Sequence, residues 1–193
     1  MDTQSRIIEA AESLIQERGF NGFSFQDIAD RIGIKKGSLY YHFPAKADLG
    51  RAVVERYRQR MRAASDLIAA GEVPDYWDAL ELYLKPMLAF GRTPDDACVC
   101  IVLAGEVLGL PEEMHAEIAA FFDEHQVWLT SLLEGGRQAG AFRFAAAADQ
   151  MATLIFSAME GGLLIKRIKG DTAYFDRVVA GLLALLGLGA SGR

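Results

Sequence analysis

The spacing of apolar residues predicts helices along the whole chain. Apolar positions recur every three or four residues, and no stretch alternates apolar with polar residues as a half-buried strand does. The longer predicted helices cover about Thr3–Arg18, Lys46–Ala70, Asp75–Phe90, Pro94–Leu108, Pro111–Gln138, Ala146–Lys169 and Thr172–Leu186. A change of composition around Gly71–Pro74 marks the end of the second of these. The pattern predicts an all-α fold.

Two short helices are predicted between the first two long ones. Ser24 followed by Asp27 forms a capping box, which predicts that a helix begins there, and Gly33 supplies the left-handed backbone that ends it. After a three-residue turn, a second short helix is predicted from about Lys36 to Phe43, because the proline that follows cannot continue it. Two short helices around a turn that contains glycine are typical of a helix-turn-helix.

The second short helix has a polar and aromatic outer face. At about 100° per residue, Leu39 and Phe43 point together toward a core. The other positions of this helix are Lys36, Gly37, Ser38, Tyr40, Tyr41 and His42. Hydroxyl groups can bond phosphate oxygens, a glycine lets a backbone approach closely, and aromatic rings can cover thymine methyl groups. The face therefore favours DNA binding over the alternative, an αα-hairpin with two partly buried tyrosines.

The charge distribution supports the same interpretation. The chain of 193 residues has a net charge of −6, which by itself would argue against nucleic-acid binding. However, the stretch from Arg31 to Arg60 holds eight basic residues and two acidic ones, a local charge of +6, whereas Met61–Arg193 carries −8. Binding depends on the local field more than on the total charge, so the basic stretch is a candidate nucleic-acid surface. The alternative is a solvated basic helix face.

The segments GFSFQDIA (Gly22–Ala29) and GIKKGSLYYHFPAK (Gly33–Lys46) resemble the DNA-binding domain of TetR-family transcriptional regulators. The most specific part is Leu-Tyr-x-His-Phe followed by a lysine three residues later. One departure is Lys35, which stands where many members have a serine or threonine cap and which can instead meet a phosphate. The resemblance implies that DNA is contacted by Ser24, Gln26, Lys36, Gly37, Ser38, Tyr40, Tyr41, His42 and Lys46.

The resemblance also implies two domains and a homodimer. Residues 1–48 would form the DNA-binding domain, with the helix-turn-helix at about 25–44, and residues 49–193 a helical ligand-binding and dimerisation domain. The predicted helices Pro111–Gln138 and Ala146–Lys169 are apolar on more than one face, which indicates burial on more than one side. In the family such helices form a four-helix dimer interface. A two-fold dimer would place two recognition helices in successive major grooves.

The remaining candidate chemistry is weaker. Cys98 and Cys100 would point about 200° apart on a helix, so they could not share a metal ion there, and no metal or cofactor is predicted. They are interpreted as small core residues, with a sensor of electrophiles or oxidants as the alternative. The residues that could line a ligand cavity between helices are Trp77, Tyr83, Met87, Phe90, Cys98, Val102 and Phe122.

Together with the resemblance, these patterns imply a cytoplasmic, ligand-responsive transcriptional repressor, released from a palindromic operator by a small-molecule inducer. No secretory signal and no apolar stretch long enough to span a membrane is predicted. The segment Tyr40–Gly50 also resembles acrylate-responsive members of the family, which hints at a small or electrophilic inducer. The alternatives are an all-helical enzyme or a protein-interaction module without DNA binding. Against an enzyme, the sequence has no nucleophile–base pair, metal motif or phosphate loop.

Overall fold

The computed structural model of the protein describes residues 2–70, 73 and 75–187. Within these residues every regular element is helical, which confirms the predicted all-α fold. The described helices are α1 (Thr3–Arg18), α2 (Phe25–Ile32), α3 (Lys36–His42), α4 (Lys46–Ala69), α5 (Tyr76–Gly91), α6 (Val99–Gly105), α7 (Glu112–Gln138), α8 (Ala148–Lys169) and α9 (Thr172–Leu185). The residues Gly71, Glu72 and Pro74, predicted to follow the end of α4, lie outside the described residues.

The predicted helix bounds agree with the structure to within two residues, except over Pro94–Leu108. There α6 begins only at Val99 and ends at Gly105, before a single 3-10 turn. The prediction of an earlier start was wrong because the carbonyl oxygens of Thr93 and Asp96 accept hydrogen bonds from the Lys166 side chain. These oxygens are therefore not used by a following helical turn.

The first compact unit of the molecule contains the chain up to Arg60 together with Cys98–Phe121. In it α1 packs against α2 and α6, and α2 packs against α3. Side chains with almost no exposed surface include Ile7, Ala11, Leu14, Ile15, Ile28, Leu39, Leu49, Val53, Tyr57, Cys100, Leu103 and Met114. The helix-turn-helix elements thus share one core with α6, which follows much later in the sequence.

The second compact unit contains Met61–Ala97 and the chain from Phe122 onward. In it α8 packs along α9, and α5 packs against both. A small apolar cavity of about 10 Å³ is lined by Leu80, Leu84, Ile155, Met159, Val179, Leu182, Leu183 and Leu186. That volume holds about one water molecule, so this cavity is a packing defect rather than a ligand site. Over the described ranges, the helices are too short or too polar to cross a lipid bilayer.

Candidate functional site

Both ends of α2 are fixed by local interactions. The Asp27 carboxylate accepts hydrogen bonds from the Ser24 backbone amide at 2.8 Å and from the Ser24 hydroxyl at 2.6 Å. These bonds lower the pKa of Asp27, because they stabilise its charged form. At the other end of α2, Gly33 has the left-handed backbone that was predicted, with φ +70°. The predicted start and end of α2 are confirmed.

The position of α3 is set by one buried side chain and one ring contact. Leu39 is completely buried and Phe43, just after the helix, is almost so, as their spacing predicted. The Tyr40 ring packs edge-on against Phe25 of α2, with the ring centroids 5.0 Å apart. Tyr41 in contrast is 86% exposed. An aromatic ring this exposed on a well-anchored helix is a candidate contact for a partner.

The first turn of α3 is open to solvent. Lys35 precedes the helix and its side chain makes no capping hydrogen bond, while its carbonyl accepts a hydrogen bond from the Ser38 amide at 2.9 Å. The helix therefore begins at Lys36, as predicted, without the usual hydroxyl cap. A Cβ atom placed on Gly37 would meet nothing within 4 Å. The glycine is thus not required by packing inside the chain, but it would let an outside group approach the backbone closely.

The structure gives the predicted DNA-contacting residues different degrees of exposure. Six are exposed: Ser24, Gln26, Lys36, Gly37, Tyr40 and Tyr41. Ser38 and His42 are half-buried, and the His42 ring lies edge-on to Tyr41 at 5.2 Å. All eight belong to the first turn of α2, the residue before it, or α3. The ninth residue, Lys46, differs from them.

The Lys46 side chain turns inward instead of lying beside the exposed residues. Its ammonium group donates hydrogen bonds to the backbone carbonyls of Phe20, at 2.5 Å, and Phe23. The same group lies 4.6 Å and 4.1 Å from the centroids of the two phenylalanine rings. The sequence placed Lys46 one turn after α3 but gave no signal of these acceptors, which lie more than twenty residues earlier in the chain.

Ion pairs account for much of the basic stretch between Arg31 and Arg60. The pairs are Arg31–Glu17, Arg56–Glu9, Arg58–Glu117 and Arg60–Glu12. Every acidic partner lies outside the stretch, so the local charge of +6 overstates the available positive charge. Among the residues that the structure describes, no carboxylate forms an ion pair with Lys35, Lys36 or Arg51. Two of these three cations stand at the start of α3, and Arg51 is a candidate phosphate contact that the sequence interpretation did not single out.

The predicted ligand-lining residues are divided between the two compact units. Cys98 and Val102 belong to the first unit, whereas Trp77 and the other predicted residues belong to the second. Trp77 packs edge-on against Phe142, with ring centroids 4.8 Å apart, and its indole N–H donates to the Ala141 carbonyl at 3.1 Å. The spacing of apolar residues in a sequence cannot distinguish residues that line one cavity from residues that are merely apolar.

Two predicted ligand residues of the second unit, Tyr83 and Phe122, join a cluster of five rings. This aromatic cluster consists of Tyr83, Phe122, His125, Trp128 and Phe156. Tyr83 stacks on Trp128 at 4.4 Å, and its hydroxyl lies 2.8 Å from His125 Nδ1. Phe156 stacks on His125 at 5.1 Å and meets Phe122 edge-on at 6.0 Å. Met87 is buried, and Phe90 is half-buried with its carbonyl bonded to Lys166.

His125 is the basic side chain of the aromatic cluster. It is 9% exposed, and this burial lowers its pKa to about 4, because the imidazolium form would lose its hydration. The ring is therefore neutral at pH 7. A neutral imidazole bonded to a tyrosine hydroxyl offers a directional polar contact within an otherwise aromatic environment.

Both cysteines are core residues of the first unit. Cys98 precedes α6 in an extended conformation and Cys100 lies in its first turn, so the angle predicted for two helical positions does not apply. Both side chains are almost completely buried. Burial, assisted by the neighbouring Cys100 thiol, raises the pKa of Cys98 well above its usual value. Thiols in such surroundings react slowly, because the thiolate is the reactive form.

The α8 helix of the second unit has apolar residues on two faces. One face is buried in the unit and includes Met151, Ala152, Ile155, Met159 and Leu163. The other face, here named the α8 stripe, consists of Leu154, Ala158, Gly161, Ile165 and Ile168. Leu154 is 47% exposed and Ile168 is 86% exposed. An exposed apolar stripe of this kind indicates a surface that a partner covers.

The chain matches two family models. One, described as "Bacterial regulatory proteins, tetR family", matches residues 7–53. The other, described as "Tetracyclin repressor-like, C-terminal domain", matches residues 77–182. The first covers the helix-turn-helix elements and the start of α4, and the second covers most of the remaining helices.

Comparisons with individual proteins support the same family. The transcriptional repressor NemR of Escherichia coli is 27% identical over 185 residues, which cover 93% of this chain and 91% of NemR. IcaR of Staphylococcus aureus, a negative regulator of a biofilm operon, is 27% identical over 138 residues, 66% of this chain and 73% of IcaR. A TetR-family regulator from Agrobacterium tumefaciens superposes with a TM-score of 0.87 at 30% identity, covering 95% and 96% of the two chains. The chain therefore belongs to the TetR family of DNA-binding transcriptional regulators.

Proposed function

We propose that the protein is a homodimeric repressor that binds a palindromic operator through α3 and the first turn of α2. The observation that carries this proposal is the open first turn of α3, where Lys35 and Lys36 stand beside Gly37. These groups suit the phosphate backbone, while the exposed Tyr41 suits a base edge or a thymine methyl group. Repression is favoured because the relatives NemR and IcaR are both described as negative regulators.

Dimerisation is proposed to occur through the α8 stripe. A two-fold interface brings the same apolar patch from both chains together, so a single stripe of this type is sufficient for it. The small residues Ala158 and Gly161 allow close approach of a second helix, and a Cβ on Gly161 would meet nothing within 4 Å. The dimer would present two copies of α3 to two half-sites of the operator.

The inducer is proposed to bind the part of the chain assigned to residues 49–193, at or near the aromatic cluster. Tyr83 and His125 supply a polar pair among ring faces, as small-molecule sites commonly do. An inducer releases DNA only if it binds the DNA-incompetent conformation more tightly than the competent one. Because both cysteines are buried, non-covalent induction is proposed, and the likeness to acrylate-responsive members stays a prediction.

The protein is further proposed to act in the cytoplasm, where bacterial DNA lies, and to do so without catalysis. Its named relatives are regulators, and regulation by DNA binding needs no reactive group. Among the described residues, no three His, Cys, Asp or Glu side chains form a group that could hold a metal ion.

The test is a titration of the intergenic DNA upstream of the gene with wild type, Tyr41→Ala and Lys36→Met at several salt concentrations. Loss of the Tyr41 contact should weaken binding about tenfold for each bound protomer, because a base contact contributes about 1 to 3 kcal/mol. Loss of the Lys36 charge should flatten the slope of log affinity against log salt by about 0.9 for each bound protomer. Thermal unfolding should stay unchanged for both exposed positions. Wild-type affinity and slope in both variants would contradict the use of α3.

A further inference from the structure

The loop between α1 and α2, residues 19–24, is held by a side chain from the start of α4. Lys46 is the first residue of α4, and its ammonium group bonds the carbonyls of Phe20 and Phe23, as described above. It also lies over both phenylalanine rings, a favourable position for a cation. The Lys46 side chain thus contacts the loop at two points, Phe20 and Phe23. Phe23 comes directly before Ser24, the residue that precedes α2.

A second side chain holds the same loop from the end of α6. Glu106 follows α6, and its Oε2 atom accepts hydrogen bonds from the backbone N–H and the side-chain amide of Asn21, both at 3.1 Å. A Cβ atom on Gly19 would lie only 1.5 Å from Glu106 Oε1. Gly19 also has φ +77° and ψ 171°, a backbone conformation that is essentially limited to glycine. The loop is therefore shaped to admit this carboxylate.

The two side chains support each other electrostatically. Burial lowers the pKa of Lys46, while the negative charge of Glu106 raises it and so partly offsets the cost of placing the ammonium there. The two carbonyl acceptors satisfy hydrogen-bond donors that would otherwise lose water. Two of the three N–H donors of the ammonium are therefore used inside the chain.

We propose that Lys46 and Glu106 form a clamp on residues 19–24 that positions α2 and α3 for DNA binding, and that Lys46 is a positioning residue and not a phosphate contact. The loop ends at Ser24, where the proposed DNA-contacting surface begins. A shift of the loop would move Ser24 and the α2–α3 pair together, because α2 packs against α3. The clamp rests on the proposed use of α3, since its effect on DNA passes through that helix.

The first test compares Lys46→Met with the matched variant Lys36→Met, which removes the same charge from the exposed start of α3. The clamp predicts that Lys46→Met weakens operator binding about tenfold at every salt concentration while the salt slope stays within about 0.3 of wild type. Lys36→Met should flatten the slope by about 0.9 for each protomer. An equal flattening in Lys46→Met would show a phosphate contact and would overturn the clamp.

Lys46→Arg provides a second test of the clamp in case Lys46→Met folds poorly. Arginine preserves the positive charge and suits phosphate well, but its planar guanidinium group does not fit the position of a compact ammonium between two carbonyls. The clamp therefore predicts weaker operator binding for Lys46→Arg, despite the unchanged charge. Wild-type affinity in this variant would overturn the proposal.

The second test removes the negatively charged member of the clamp, Glu106. Removing a carboxylate should strengthen DNA binding if only the overall field matters. The clamp predicts the reverse for Glu106→Ala, a loss of about threefold to tenfold. Glu106→Gln should recover only part of the lost binding, because its amide oxygen still accepts from Asn21 while the charge that supports Lys46 is gone. The control is Glu113→Ala, an exposed acidic position at the start of α7. Binding as tight in Glu106→Ala as in Glu113→Ala would overturn the clamp.

Hydrogen exchange without DNA measures the clamp directly. Amides of residues 19–24 should exchange faster in Lys46→Met and Glu106→Ala than in wild type, and Lys36→Met should leave them unchanged. If Tyr41→Ala and Lys36→Met both bind DNA like wild type, the proposed use of α3 is wrong and the clamp's part in DNA binding is wrong with it. If those two weaken binding while Lys46→Arg and Glu106→Ala do not, the clamp alone is wrong.

Discussion

The exposed faces of α3 and α8 differ in kind, although each helix buries its other face in a core. The α3 helix buries Leu39 and exposes Lys36 and Tyr41, whereas α8 buries Met159 and exposes Ile168. Cations and hydroxyl groups can replace water around a phosphate, while an apolar stripe gains most from an equally apolar surface. Two amphipathic helices of one chain can therefore indicate two different partners, DNA for one and a second copy of the chain for the other.

Two lysines show a second contrast between the compact units. Lys166 is completely buried in the second unit and donates to the carbonyls of Phe90, Thr93 and Asp96 at 2.5 to 2.8 Å. Lys46 is half-buried in the first unit and serves two carbonyls. In each unit a lysine ammonium binds the backbone carbonyls of an irregular segment. Lys166 does this in the interior of the second unit, whereas Lys46 does it beside the proposed DNA-binding surface of the first unit.

The largest expected effect is the loss of the dimer in Leu154→Glu. A carboxylate in the α8 stripe would be buried without a partner in a two-fold interface, at a cost of several kcal/mol. Monomers would engage only one half-site, so operator affinity should fall at least about 100-fold. Sedimentation and operator titration measure the two effects. Leu108→Glu, at a fully exposed position of the first unit, is the control and should stay dimeric. A dimeric Leu154→Glu with wild-type affinity would remove the contrast between the two helices.

The next effect concerns Lys166→Met and the stability of the fold. The change leaves three backbone carbonyls without their donor, so the free energy of unfolding should fall by about 4 kcal/mol. Lys85→Met, on the exposed side of α5, is matched in chemistry and should change it by less than about 0.5 kcal/mol. Urea unfolding measures both. Equal stability of the two variants would mean that the bonds of Lys166 contribute nothing.

A smaller effect is expected from the pH dependence of unfolding. The pKa of His125 is about 4 in the folded protein against 6.5 for an ordinary histidine, so the unfolded chain binds more protons between these values. The stability contributed by the neutral ring is present above pH 6.5 and is lost as the pH falls toward 4, by about 3 kcal/mol in total. His125→Gln keeps an acceptor for Tyr83 and should remove this part of the slope. A slope unchanged by the substitution would refute the assignment to His125.

The smallest expected effect is that of thiol reagents on the folded protein. The chain has two cysteines, and both are buried, so neither should react rapidly with an aromatic disulfide reagent under native conditions. Both should react after unfolding in denaturant, which is the control. Rapid reaction of one thiol in the native protein, together with release of DNA, would favour covalent induction. It would also contradict the placement of both cysteines in the core.

Much of the helix-turn-helix could be predicted because its interactions are local. The Ser24–Asp27 bonds, the left-handed Gly33 and the inward position of Leu39 each depend on residues within one or two helical turns. Sequence spacing describes such interactions directly, since the geometry of a helix is known in advance. The same reasoning identified an apolar excess on the helix that contains Leu154.

Tertiary structure alone decided which distant groups meet. The start of α6, the inward turn of Lys46 and the pairing of Arg58 with Glu117 all depend on partners 23 to 73 positions away, which periodicity along the chain cannot identify. The same holds for the ligand residues, where Tyr83 joined a cluster and Trp77 did not. The sequence by itself determined the helices, their caps and the chemistry of α3. The fold decided which charges were already neutralised and which remained for a partner, because hydrogen bonds and ion pairs between distant segments form only once packing brings those segments together.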